Sequence, residues 1–100
     1  MIRTYVADGG ADPIAELTAT FLEDGNDRLQ KINAALLNGD EPSARKAAHS
    51  LKGMSGAIGA THLSALSHGV EHAEPGAIDR TAVRQLEDEF QRVYDALRAA

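Results

Sequence analysis

The chain has 100 residues, 10 Lys and Arg against 15 Asp and Glu, and a formal net charge of -5, a length that allows one domain with a modest core and no separate catalytic module. It contains no cysteine, which excludes a disulfide framework and a thiolate metal site, and its acidic balance argues against nucleic acid as the main partner. No apolar run reaches the roughly 20 residues that span a bilayer and the start Met1-Ile2-Arg3-Thr4-Tyr5 has no signal-peptide core, so a cytoplasmic protein without a membrane partner is expected.

Residues 1–11 are ambiguous: Ile2, Tyr5 and Val6 suit a short helix or an arm laid over one end of a bundle. Asp12-Pro13 reads as an N-cap followed by proline in a first turn, and Ile14, Leu17, Phe21 and Leu22 then recur at helical spacing to about Asp24. Gly25-Asn26 is expected to break this helix. Leu29, Ile32, Leu36 and Leu37 define a second one that stops at Asn38-Gly39. Asp40 can cap a third, with Pro42 in its first turn, running to about Ile58 before Gly59 ends it. Thr61 with Ser64 is a weaker cap signal for a fourth helix carrying Leu63, Leu66, Val70 and Ala73, closed by Glu74-Pro75-Gly76. Asp79 or Thr81 can start the last helix, in which Val83, Leu86, Phe90, Val93 and Leu97 alternate spacings of three and four. No strand pattern and no internal repeat is present. The expected fold is all-α, an antiparallel four-helix bundle with a short N-terminal helix or arm, forming a single domain over residues 1–100 with its core at about 12–98.

The third helix carries the chemistry. At about 100° per residue, Ala44, Ala47, Ala48, Met54, Ser55 and Ile58 fall within roughly 60° of Leu51, a normal buried stripe. His49 falls almost opposite, as do Gly53 and Gly56, with Arg45 and Lys52 flanking the same face. A glycine inside a helix costs about 1 kcal/mol relative to alanine, and a need for open space beside His49 supplies a reason to accept that cost. Between Glu41 and Glu71 there is no Asp or Glu, whereas Arg45, Lys46 and Lys52 lie there. A locally positive surface is therefore expected around His49, able to attract an acidic partner site or a phosphoryl group. General-base catalysis would need an orienting carboxylate, and the helix offers none after Glu41. Nucleophilic chemistry asks less, because a neutral imidazole nitrogen is already nucleophilic near pH 7, and Lys52 could pair with phosphate oxygens as a point charge.

The segment His49-Ser50-Leu51-Lys52-Gly53-Met54-Ser55, followed by Gly59-Ala60, resembles the signature of histidine-containing phosphotransfer (HPt) domains of multistep phosphorelays. Phe21-Leu22-Glu23, Leu36-Leu37-Asn38-Gly39-Asp40 and Leu63 through Glu71 extend the likeness over roughly residues 12–98. The resemblance implies that His49 accepts a phosphoryl group from an aspartyl phosphate on one receiver domain and passes it to an aspartate on another. It implies that Lys52 lies near that group and that Gly53 gives the receiver access. The partners are then receiver domains of a hybrid sensor kinase or a response regulator, with Arg45, Lys46 and Gly56 as expected receiver contacts. The chain would be a monomeric phosphocarrier rather than an enzyme, with no cofactor of its own and Mg²⁺ on the receiver. One departure is His68-Gly69-Val70-Glu71-His72, a glycine and two histidines that the framework does not require.

Other readings stay open at this stage. His49 could be an inconsequential surface histidine, but that leaves Gly53, Gly56, Lys52 and the acid-free surround unexplained. A helical interaction module that binds receivers without transfer should lack the histidine, and a histidine-kinase dimerisation domain should carry an acidic residue where Ser50 stands. Ser55 falls on the buried stripe and should satisfy a backbone carbonyl. His68 and His72, four apart, share a helix face as a two-histidine metal site requires. Glu71 is turned away from them by about 100°, so solvated histidines and no metal are expected, and His62 is assigned to local capping or solvent.

Overall fold

The computed structural model of the chain describes residues 13–99; the arm or helix expected within residues 1–11 and the Asp12 cap lie outside the described residues. Four helices account for most of what is described: α1 (Pro13–Leu37), α2 (Glu41–Ala57), α3 (Thr61–Glu71) and α4 (Arg80–Ala99).

The expected break at Gly25-Asn26 is absent, and the first two anticipated helices are one helix of 25 residues. Gly25 is buried. A Cβ at this position would lie 2.1 Å from Cε1 of Phe90 on α4, whose ring stacks on Phe21 with centroids 4.9 Å apart. The glycine therefore lets an aromatic ring press against the backbone of α1, and packing outweighs the local cost of glycine in a helix.

The remaining boundaries follow local chemistry. Asp40 caps α2 through a hydrogen bond from Ser43 N (3.2 Å), and a second from Ser43 Oγ (2.6 Å) helps hold the Asp40 carboxyl below its usual range. Asp79 accepts from Ala82 N (2.9 Å) ahead of α4. The Thr61–Ser64 cap does not form: α3 starts without a side-chain cap, and Ser64 Oγ instead donates to the carbonyl of Lys52 (3.3 Å), tying α3 to α2. Gly39 and Gly59 adopt φ of +70° and +79°, the left-handed conformation that lets short connections turn the chain back.

Cross-helix contacts fix the directions. Arg28 bonds Ser50, Arg45 reaches Glu71, Lys52 meets Ser64, and Asn33 reaches Glu87 while Gly25 faces Phe90, so α2 runs antiparallel to α1 and α3, and α4 antiparallel to α1, as expected. α1 packs on α2 and α4, and α3 closes the ring against the same two helices. Each helix gives one large, wholly buried aliphatic side chain to a single core: Ile32, Leu51, Leu63 and Leu86. Each such side chain contributes roughly 1.5–3 kcal/mol relative to exposure.

The α2 stripe is buried as phased, with Ala44, Ala47, Ala48, Leu51 and Ser55 inside and Met54 and Ile58 partly so. Ser55 Oγ donates to the Leu51 carbonyl (2.7 Å) as expected, and Ser67 does the same to Leu63 (2.8 Å). Along α4, Val83, Leu86 and Phe90 are buried, but so is Glu89, an acid the apolar spacing does not anticipate. It accepts from Arg92 Nε (2.9 Å), and that contact holds the Glu89 carboxyl below its usual range. Among the described residues no helix is long and apolar enough to cross a membrane.

Candidate functional site

Burying Leu51 turns His49 outward, and its side chain is 65% exposed. Gly53, one turn further on, has no neighbouring heavy atom within 4 Å of a would-be Cβ. The anticipated gap beside the imidazole is present. Gly56, placed on the same open face by phasing alone, sits differently: its Cβ would meet Ser64 Oγ at 3.8 Å. It borders α3 but stays exposed, and a contact of 3.8 Å is an ordinary one, so the approach of the two helices does not itself require glycine.

The largest departure from expectation is Glu71. No acid follows Glu41 on α2, yet α3 runs back along α2 and sets the Glu71 carboxylate against His49. Oε2 lies 2.7 Å from His49 Nδ1, and Oε1 lies 2.8 Å from Lys52 Nζ. Arg45, expected as a receiver contact, donates to the Glu71 carbonyl (2.9 Å) and pairs with Glu41 (3.2 Å). The acid-free, locally positive surface is therefore not what forms: two of its three cations are already engaged. Lys46 remains exposed, bordering a groove between α1 and α2 with Arg28, Lys31 and Asp40.

This geometry sets the imidazole's chemistry. The Lys52 ammonium, opposed by partial burial and aided by His49, holds the Glu71 carboxyl below the usual glutamate range, so it is an anion at neutral pH. A carboxylate only accepts hydrogen bonds. The proton on this edge therefore belongs to Nδ1, and in the neutral ring the lone pair is left on Nε2, facing solvent. The pair supplies the orienting carboxylate that the sequence of α2 alone lacks. Lys52, with its side chain 27% exposed, stands on the other oxygen of the same carboxylate.

Folding the chain back at Gly59 puts positions near 69 opposite His49, and Glu71 is the nearest acid. That register was the available signal, and a search along one helix could not find it. Arg28 was also missed: its guanidinium reaches from α1 to Ser50 Oγ (2.7 Å), beside His49 in sequence.

The departing segment forms a second constellation. His68 and His72 lie with ring centroids 4.3 Å apart, and Glu71, expected to point away from them, reaches over so that ligand atoms of all three residues fall within 4.8 Å of one another. The glutamate side chain is long enough to cross the helical step of about 100° that separates it from His72.

A family model described as Hpt domain matches residues 16–100. No curated protein and no solved structure matches the chain.

Proposed function

Because the chain belongs to the Hpt domain family, whose members are phosphocarrier modules of phosphorelays, we propose that it relays a phosphoryl group between aspartates of receiver domains through His49 Nε2. The observation that carries this reading is an exposed imidazole whose Nδ1 is held by Glu71 beside the open space over Gly53.

In the forward step the Nε2 lone pair attacks the phosphorus of an aspartyl phosphate. An N–P bond forms, the P–O bond to the aspartyl carboxylate breaks, and its electron pair leaves on that carboxylate. The ring becomes a cation that keeps its Nδ1 proton, and the Glu71 carboxylate beside that proton offsets the new charge. Lys52 is within reach to turn from Glu71 to the phosphoryl oxygens as a point charge. The second step is the reverse onto another aspartate, so no net proton is consumed. In this reading Mg²⁺ belongs to the receiver, Lys46 and the Gly56 edge line the docking face, and the protein acts as a monomer and is not a kinase.

Incubation with a phosphorylated receiver tests the reading. Label should pass to this chain as an acid-labile, alkali-stable adduct and should be absent in His49→Gln. Label persisting in that variant would refute the assignment, and an unlabelled wild type against every receiver of the source organism would leave a binding module without transfer.

A further inference from the structure

We propose that His68, Glu71 and His72 form a divalent transition-metal site at the C-terminal end of α3, and that filling it takes Glu71 Oε1 from Lys52 and weakens the hydrogen bond that Oε2 accepts from His49. The proposal does not depend on phosphotransfer.

The ligand set is of the right chemistry. Two imidazoles four residues apart and a carboxylate are a known donor combination for zinc, with water completing a tetrahedron. Their ligand atoms lie within 4.8 Å of one another. Tetrahedral zinc, with bonds of about 2.0–2.2 Å, needs donors roughly 3.3–3.6 Å apart. Glu71 Oε1 and His72 Nε2, at 3.6 Å, already meet that spacing. His68 and His72 are both exposed, so their rings can close on an ion without disturbing the core. The site also sits at a helix C-terminus, where unpaired carbonyls favour positive charge.

The state of Glu71 Oε1 is a second, independent observation. This oxygen is cut off from solvent and accepts no well-aligned hydrogen bond; Lys52 Nζ is close, at 2.8 Å, as a charge rather than as an aligned donor. A carboxylate oxygen has two lone pairs, and one here is faced by a single ammonium at 2.8 Å; the other, 3.6 Å from an imidazole nitrogen, is suited to a metal bond. The cations facing it are Lys52 and His49 from α2, with Arg45 held on the adjacent backbone carbonyl. An incoming dication on Oε1 competes directly with Lys52 and, by drawing charge from the carboxylate, weakens the bond that Oε2 accepts from His49 Nδ1. Metal binding and the His49–Glu71 hydrogen bond are thereby coupled, and the coupling is reciprocal.

Zinc titration of the full chain by calorimetry at pH 7.5, with cobalt absorption as a reporter of tetrahedral coordination, tests this. The expected result is one equivalent bound, weakened about tenfold or more in each of His68→Ala, His72→Ala and Glu71→Gln, and unchanged in His62→Ala. One equivalent of zinc should also shift the ring resonances of His49 along with those of His68 and His72, and should leave His49 unmoved in His68→Ala. No binding by the wild type, equal binding by His68→Ala or His72→Ala, loss of the site in His62→Ala, or an unperturbed His49 signal on loading would each overturn the proposal. Because no phosphoryl donor is present, failure here says nothing about transfer, and failure of transfer leaves this result standing.

Discussion

Replacing Gly53 should make the protein more stable and less useful. A Cβ at this position meets no heavy atom within 4 Å, so Gly53→Ala introduces no clash. It removes the entropic cost of glycine in a helix, a gain of about 0.5–1 kcal/mol. For a domain of this size each kcal/mol moves the melting temperature by roughly 4–8 °C, so a rise of about 2–8 °C is expected in a thermal melt followed by circular dichroism. Gly53→Leu should share most of that gain, since leucine is nearly as good a helix former. Its isobutyl group, however, stands one turn from His49 on the face by which the proposed transfer would proceed, and the phosphotransfer rate should fall by about tenfold or more, equivalent to about 1.4 kcal/mol of barrier. The same pair of measurements on Gly69→Ala, also in open space, should give the stability gain without the loss of transfer. A less stable Gly53→Ala would show that the space is not open. Wild-type transfer by Gly53→Leu would show that the open space is not what the reaction needs.

Gly25→Ala should behave in the opposite way, because its methyl group would sit 2.1 Å from a Phe90 ring that is stacked on Phe21. The ring must retreat by about 1.5 Å to restore ordinary contact, and overpacking of about 1–3 kcal/mol should outweigh the propensity gain, visible as a lower urea midpoint; a midpoint at or above wild type would refute the packing argument. Glu71, Asp40 and Glu89 all have carboxyls held below their usual range. As pH falls, the unfolded chain takes up these protons first, so stability is full at neutral pH, declines through the ordinary carboxylate range and is gone below the folded values. Glu71→Gln should flatten part of that slope in urea midpoints measured from pH 3 to 7, and parallel curves would mean that Glu71 contributes nothing. Leu51→Ala, at a wholly buried position, should cost about 2–5 kcal/mol and is expected to leave the outward presentation of His49 intact in whatever fraction remains folded, read as transfer per folded molecule.

Much of the fold and of the His49 face was legible in the sequence, because it rests on local periodicity and capping. The α2 stripe of Ala44, Ala47, Ala48, Leu51 and Ser55 depends only on the 3.6-residue repeat and one large apolar side chain, so the outward direction of His49 followed directly. The Asp40 cap and the turns at Gly39 and Gly59 are equally local. What escaped was decided across helices. Gly25 carries the local mark of a helix break, and only the position of Phe90 on α4 shows that it is a seat for a ring. Ser64 had the spacing of a cap but bonds to α2. Glu71 looked irrelevant to His49 at 22 positions' distance and indifferent to His72 by angle, and it touches both.

The links that assemble the His49 site span 12 to 26 positions, and all lie within the single helical hairpin from Glu41 to Glu71. None of them calls on α4, and α1 enters only through Arg28 on the neighbouring serine. Contacts of such short sequence separation close early and cheaply during folding, so the geometry around His49 should be among the first tertiary features to appear. The same economy gives the hairpin a measure of independence in the native state. Opening of α4 from α1 need not disturb the imidazole, and native-state hydrogen exchange should find the amides of α2 and α3 protected together as one cooperative unit.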